Sequence, residues 1–217
     1  MADGTKHKWT IVFGIVAGAA VVAAAALSHW AAQGKVTGDT PAARIASIRR
    51  LADDRPPGAA VAVAGAIDDP DAGVRRAALT VLAQFPEGYH RAVGSRINDP
   101  VPAVRAAAAA TLGMYDEPDV AAALRRMLTD PVEEVRLGAL TGLGRMDQPD
   151  ATAALFAAAE GNDNVEVRRQ AMRTLAARLK LRFETPPDPV KTPRRWRRAL
   201  AQMRRMPPVR DALAGEG

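Results

Sequence analysis

The fold is decided by the stretch Asp69-Pro-Asp-Ala-Gly-Val-Arg-Arg-Ala-Ala-Leu-Thr-Val-Leu82. Its central Val-Arg pair recurs three times downstream, each time after an Asp-Pro or Asn-Asp pair. Successive arginines of these pairs lie 30, 31 and 32 residues apart. A period of about thirty residues is typical of stacked arrays of short helix pairs. Such arrays form extended surfaces for partners and seldom form catalytic clefts.

Each copy predicts one amphipathic helix. The apolar residues of the first copy fall on a single helical stripe, made by Val74, Ala78, Leu79 and Leu82. We expect Asp69 to cap the helix and Pro70 to lie in its first turn, where a missing N–H costs nothing. The same stripe begins again at Val104, Val135 and Val167.

A second apolar stretch precedes each copy and predicts a partner helix. These stretches are Ala59–Ile67, Tyr89–Ile97, Val120–Leu128 and Ala151–Ala159. An earlier, partial copy is predicted around Arg44, Ile48 and Leu51, with Arg44 31 residues before Arg75. No strand alternation of useful length occurs, so the array is predicted to be all helical. Because many stripe positions are alanine or glycine, the helices should approach closely and a single repeat should be too poor in apolar area to fold alone.

The phrase D-P-x-x-V-R-x-x-A-L-x-x-L, repeated between Thr40 and Arg182, resembles the HEAT-repeat family. It is most similar to the short bacterial HEAT-like repeats that also occur in phycobilisome chromophore lyases. The resemblance implies an all-α, right-handed superhelix over residues 40–183, with about four full repeats and one partial repeat and with the second helices on the concave face. It implies a scaffold or docking surface, with a lyase-like enzyme as a remote alternative. Fold analogy alone does not carry function.

The recurring acidic and basic residues predict a structural repeat ladder. Its members are Asp69, Arg75, Asp99, Arg105, Asp130, Arg136, Asn162 and Arg168. We expect each guanidinium to bond the acidic residue of its own or a neighbouring repeat and so to join the units. The alternative is a row of arginines that receives an acidic partner. The neighbouring positions have no common chemistry and predict no defined ligand: Arg76, Ala106, Leu137, Arg169, Thr80, Ala110, Thr141 and Arg173.

The N-terminus predicts a membrane anchor. No charged residue lies between Lys8 and Lys35, and the span Trp9–Ala32 is long enough to cross a bilayer as a helix. The basic residues before it favour a cytoplasmic tail over residues 1–8, which would place the array outside the cytoplasm, in a periplasm or its equivalent. The alternative is a long export signal that is cleaved near Ala26 and Ser28.

The C-terminus predicts a proline-rich extended linker over residues 184–193 and a basic amphipathic tail over residues 194–217. The tail residues that could contact a membrane or a partner are Arg194, Arg195, Trp196, Arg197, Arg198, Leu200, Met203, Arg204 and Arg205. Such a helix can lie on an anionic membrane. Docking on the last repeat, RNA binding and a solvated tail are the alternatives.

The sequence contains few residues of the types that form catalytic or metal sites. The chain has no cysteine and only three histidines, and no metal-type cluster or phosphate loop occurs, so we predict no enzyme activity, no cofactor and no metal. Residues 39–183 carry equal numbers of acidic and basic side chains, which disfavours a nucleic-acid-binding array. The predicted function is a membrane-anchored scaffold for protein partners, as an accessory or assembly subunit of a membrane complex. The alternative is an exported soluble binding module.

Overall fold

A computed structural model of the chain describes residues 35–85, 88–115, 117–183 and 187–215. Over these residues the secondary structure is entirely helical, so the predicted all-α class is confirmed. Within the same ranges, no helix has both the length and the apolar composition that a membrane crossing requires. The predicted tail at residues 1–8 and the predicted anchor at residues 9–32 lie outside the described residues.

The described part of the chain contains eleven α-helices. They are α1 (Pro41–Asp54), α2 (Ala59–Gly65), α3 (Ala72–Leu82), α4 (His90–Gly94), α5 (Pro102–Leu112), α6 (Pro118–Met127), α7 (Glu133–Arg145), α8 (Pro149–Gly161), α9 (Val165–Arg178), α10 (Pro193–Arg204) and α11 (Pro207–Ala214). Helices α2 and α4 continue into short 3-10 helices over Ala66–Asp68 and Ser95–Asn98.

The helices form two layers of successive repeats. The second helices α1, α3, α5, α7 and α9 each pack against the next one along the chain, and each first helix α2, α4, α6 and α8 packs against the second helix that follows it. This is the quasi-one-dimensional stacking of a repeat protein, in which a unit contacts chiefly its neighbours. The predicted helix pairs therefore exist, and α1 represents the partial repeat.

The core lies between the two layers and is made by the predicted stripes. In the first copy Val74, Ala78, Leu79 and Leu82 are fully buried. The equivalent residues of α5, α7 and α9 are buried as well. The helical spacing of apolar residues in the sequence thus correctly predicted the buried faces of α3, α5, α7 and α9.

Helices α5 and α7 approach until their backbones touch. A Cβ atom added to Gly138 would lie 2.5 Å from the carbonyl oxygen of Ala106, and one added to Gly142 would lie 2.4 Å from that of Ala109. A Cβ atom on Gly113 would lie 2.1 Å from the Gly142 carbonyl oxygen. These contacts are tighter than any side chain allows, so the interface depends on glycine.

The expected capping role of Asp69 is wrong. The N-cap of α3 is Asp71, whose side chain accepts a hydrogen bond from the Val74 amide at 3.0 Å. Asp69 lies two residues earlier, where the following proline favours an extended backbone, and its Oδ1 accepts from the Asp71 amide at 2.9 Å. This short turn leaves the other carboxylate oxygen free to bind an arginine.

The predicted linker contains a turn in its described part, and the basic tail adopts one of the alternatives left open by the sequence, docking on the last repeat. Asp188 closes a turn by accepting hydrogen bonds from the amides of Val190 and Lys191 at 2.9 and 2.6 Å. Helix α10 begins directly after this turn, and α11 packs against α8. The tail is therefore folded onto the last repeat, and we call α10 and α11 together the C-terminal cap.

Candidate functional site

Two of the predicted ladder arginines, together with the earlier Arg44, bridge consecutive repeats. Arg75 donates through Nε and Nη2 to both carboxylate oxygens of Asp99, at 2.9 and 3.0 Å. Arg105 binds Asp130 in the same bidentate way at 3.0 and 3.2 Å. In each pair the carboxylate belongs to the following repeat, about 25 residues downstream. Planar, two-bonded pairs of this kind fix orientation as well as distance.

Arg44 extends this arrangement to the partial repeat. Its guanidinium donates to Asp69 at 2.7 and 2.9 Å. The sequence predicts Arg44 as part of the partial repeat but not as a member of the ladder. The structure therefore shows a first rung that the list of ladder residues lacked, and the 31-residue spacing to Arg75 was the signal that could have found it.

The guanidinium groups of Arg75 and Arg105 also bind their own repeats. Nη1 of Arg75 donates to the carbonyl oxygens of Asp69 and Pro70 at 2.9 and 3.0 Å. Arg105 does the same with the Asp99 and Pro100 carbonyls. A single arginine side chain thus joins the loop of its own repeat to the carboxylate of the following repeat. Its donors are occupied within the array and are not available to a partner.

Burial and hydrogen bonding have opposite effects on the pKa of the ladder carboxylates. At Asp99, burial favours the neutral acid, but the hydrogen bonds from Arg75 and from the Val101 amide outweigh it, so the pKa lies below its usual value. The same balance lowers the pKa of Asp130. At Asp69 the hydrogen bond from Arg44 is the main cause of a lowered pKa. These carboxylates are therefore ionised in the folded array at neutral pH.

The ladder is interrupted at Asn162. Asn162 forms the same turn as the aspartates, since its Oδ1 accepts from the Asn164 amide at 2.9 Å, but its amide nitrogen takes the place of the second carboxylate oxygen. Arg136 still donates through Nη1 to the carbonyls of Asp130 and Pro131. Its buried Nε finds no hydrogen-bond partner within the described part of the chain.

In the last repeat the arginine that binds a carboxylate is Arg169, one residue after the predicted ladder position Arg168. Arg168 donates to the carbonyl oxygens of Asn162 and Asp163. Its neighbour Arg169 donates to Asp188 at 2.6 Å, which ties α9 to the turn before the C-terminal cap. The hydrogen bonds from the Lys191 amide and from Arg169 lower the pKa of Asp188 to about 2.

A second set of junction bonds lies at the opposite ends of the second helices, and sequence reasoning missed it. Thr111 donates to the Leu79 carbonyl at 3.0 Å, and Arg145 donates to the Ala110 carbonyl at 2.7 Å. Arg178 donates to the Leu143 carbonyl at 2.8 Å. The last carbonyls of a helix lack partners inside it, so each repeat supplies donors to the helix before it. The spacing of 34 and 33 residues between these donors was the available signal.

Exposed side chains of the second helices remain outside the junctions. Arg76, Thr80, Thr141 and Arg173 are exposed, and Ala110, Leu137 and Arg169 are half-buried. Ala106 is buried beneath Gly138 and is not part of this surface. The hydroxyls of Thr80 and Thr141 bond carbonyls of their own helices. Arg169 is already bound to Asp188, so the other six residues form what we call the second-helix surface.

A family model described as HEAT repeats matches residues 67–142 and 91–176, which together span about half of the chain. The chain belongs to the HEAT-repeat family. The matched residues contain the Asp99 and Asp130 rungs and the glycine contacts between α5 and α7. No curated protein matches this HEAT-repeat chain significantly. The narrower relation to chromophore lyases stays a prediction.

The tail residues of the HEAT-repeat chain divide into two groups. Trp196, Leu200 and Met203 are buried in the chain's own core, so the expectation that they contact a membrane or a partner is corrected. The guanidinium of Arg204 lies 5.4 Å from the centroid of the Phe156 ring and pairs with Glu160 at 3.2 Å. The other arginines of α10 are exposed. Among the described residues no group of acidic and histidine side chains has a metal-binding arrangement.

Proposed function

We propose that the protein is a membrane-tethered HEAT-repeat scaffold that binds protein partners through its second-helix surface. HEAT repeats generally mediate protein–protein contacts, and the observation that carries the proposal is the engagement of the ladder. Because the periodic arginines and aspartates are used at the junctions, the array is held as one body. The residues left for a partner are then the variable ones of the second-helix surface.

The composition of that surface supports a protein partner over a small molecule or a nucleic acid. Alanine, leucine and threonine occupy its middle, and its two threonine hydroxyls are already bonded within their helices. Basic side chains stand at its ends, at Arg76 and Arg173. A mostly neutral, extended surface of this kind suits a polypeptide, whereas a nucleic acid would require basic residues along the whole length.

Partner binding is tested by two charge-reversal variants that differ only in their place. The double variant Arg76→Glu, Arg173→Glu alters the second-helix surface, and the matched variant Arg91→Glu, Arg126→Glu alters exposed positions on the first helices. The tagged full-length chain is crosslinked in its native membranes, and the captured proteins are identified by mass spectrometry. Partners that are lost from the first variant and kept by the second support the proposal. Loss from both variants or from neither contradicts the choice of surface.

Tethering through residues 9–32 is the second part of the proposal. It is supported by the uncharged stretch between Lys8 and Lys35, and it would place residues 1–8 in the cytoplasm and the array outside it. The exported soluble module remains the competing function. Retention of the chain in the membrane pellet after carbonate extraction is the expected result, and a mature chain that begins near His29 would favour the soluble module instead.

A role as an accessory or assembly subunit of a membrane complex follows if the captured partners are integral membrane proteins. Comparison of the complex in cells with and without the chain would test this role. A complex that assembles to the same level in both would exclude it.

A further inference from the structure

Helix α10 presents a row of arginines to solvent. Arg194, Arg198 and Arg205 follow one another at helical spacing, opposite the buried side chains of Trp196 and Met203. All three arginines are exposed, and no described carboxylate pairs with them. We call these three residues the arginine face.

The described acidic residues of the cap, of the turn before it and of the Arg204 contact are already paired. Asp188 is bound by Arg169, Glu160 by Arg204, and Asp211 by Arg210. The basic residues therefore remain largely uncompensated over the described part of the cap. The arginine face follows an array, residues 39–183, in which acidic and basic side chains are equal in number.

The structure changes how such a patch can act. A free amphipathic helix would insert its apolar side chains between lipids, but here those side chains hold the cap on α8. The remaining interaction is electrostatic and takes place at a surface, without insertion. Arginine is suited to it because its planar guanidinium binds phosphate oxygens in pairs.

We propose that the arginine face docks the C-terminal cap onto a bilayer that carries anionic phosphate headgroups. The inference rests on the tether proposed above, which would bring the cap close to such a bilayer. The tether precedes α1 and the cap follows α9, so the two attachment points lie at opposite ends of the second-helix layer. Four helix spacings of 8–10 Å separate α1 from α9, roughly 40 Å in all. Attachment at both ends lays the array along the membrane.

A bilayer fits the observations better than a nucleic acid. Single-stranded nucleic acids are held by basic grooves together with aromatic side chains on which the bases stack. The exposed large apolar side chains in the described ranges are Val61, Met114 and Val190, none of them aromatic. Trp196, the aromatic residue of α10, is buried.

The test uses the full-length chain in vesicles. The chain contains no cysteine, so Gln202→Cys, at an exposed position of α10, carries a single donor dye. The vesicles are phosphatidylcholine alone or phosphatidylcholine with one third phosphatidylglycerol, and both contain an acceptor on a lipid headgroup. The dye pair has a short transfer distance, so that the donor is quenched only when the cap touches the headgroups.

We expect quenching in the anionic vesicles and its loss at about 0.5 M NaCl, where the Debye length falls to about 4 Å. The triple variant Arg194→Gln, Arg198→Gln, Arg205→Gln should lower the ratio of docked to undocked cap on the order of a hundredfold, since each basic group near an anionic surface contributes about fivefold. The matched control Arg49→Gln, Arg50→Gln, Arg91→Gln removes the same charge from exposed positions away from the C-terminal cap and from the second-helix surface, and it should dock normally.

Equal quenching in neutral vesicles, or in the triple variant, would overturn the proposal. Binding of polyuridylate that depends on the arginine face, without quenching by anionic lipid, would replace it with a nucleic-acid site. Carbonate extraction of the same samples reports the tether separately. A chain that resists carbonate but shows no lipid-dependent quenching refutes the docking of the cap alone.

Discussion

Replacement of Asn162 by aspartate should add the missing rung of the ladder. The turn at Asn162 already has the geometry of the aspartate turns, because its Oδ1 bonds the amide two residues on at 2.9 Å, as at Asp69 and Asp99. In Asn162→Asp the side-chain nitrogen becomes an oxygen, equivalent to the Oδ2 atoms of Asp99 and Asp130 that accept from the Nε of their arginines. The backbone does not have to change.

The expected gain follows from the bonds made and lost. A hydrogen bond to a charged group contributes about 1.5–3 kcal/mol, and solvent screening of the half-buried Arg136 reduces this figure. The substitution also removes a long hydrogen bond from the Asn162 amide to the Leu128 carbonyl, at 3.4 Å. We expect a net stabilisation of about 1 kcal/mol, which raises Tm by about 2–4 °C in a chain of this size.

The assay is a double-mutant cycle that combines Asn162→Asp with Arg136→Gln. Thermal unfolding is followed by circular dichroism in a non-ionic detergent that keeps the apolar N-terminal segment dispersed. We expect a coupling free energy of about 1 kcal/mol between the two positions. Hydrogen exchange should slow in α9 and remain unchanged in α3, because repeats are coupled chiefly to their neighbours.

A new carboxylate with a lowered pKa stabilises the fold above the pKa of the unfolded chain and loses this effect as the pH falls through the folded-state value. The advantage of Asn162→Asp should therefore be present at pH 7 and disappear below about pH 4. A coupling energy near zero, or a gain that persists in acid, would refute the assignment of Asn162 as a missing rung.

Three further substitutions test the interfaces. Gly142→Ala should destabilise the array by about 2–4 kcal/mol in denaturant titrations, because the new Cβ would meet the Ala109 carbonyl at 2.4 Å. Asp99→Asn should cost about 2 kcal/mol at pH 7, since it leaves the buried Arg75 without its carboxylate; because the pKa of Asp99 is lowered in the fold, the difference from the parent protein should shrink as the pH falls below about 4. Trp196→Ala should cost about 3 kcal/mol and release α10 to trypsin, which is measured by limited proteolysis.

Each of these substitutions has a matched control. Gly161→Ala places a Cβ in open space, since no atom lies within 4 Å, and should be neutral or slightly stabilising. Asp163→Asn removes an exposed charge beside the interrupted rung and should change little. Val190→Ala truncates a side chain that is 61% exposed and should leave α10 resistant to trypsin. Equal effects in a substitution and its control would contradict the contact that the substitution tests.

The helix pairs and their buried faces could be predicted because they depend on local periodicity. Val74 and Leu79 lie on the buried side of α3 for the same reason that they share a stripe in the sequence. The cap residue could not be fixed in this way, since Asp69 and Asp71 are both acceptable N-caps and the choice depends on where Arg44 of the preceding repeat reaches. The sequence also could not predict what Trp196 contacts, because an apolar stripe on a helix can pack equally well on a lipid surface or on a neighbouring helix.

The sequence alone determined the repeat length, the helical class, the Asp and Arg residues of the two central rungs and the presence of a basic C-terminal helix. The tertiary structure decided that Arg44, Arg75 and Arg105 reach the aspartate of the following repeat. It also decided that the apolar face of α10 is buried in the chain's own core, and that donors on one second helix bond the last carbonyls of the second helix before it. The physical reason is that these contacts join residues about 25 to 45 positions apart. The stacking of repeats determines which of these distant residues come into contact. The apolar periodicity of a helix depends only on residues a few positions apart, so it cannot predict such contacts.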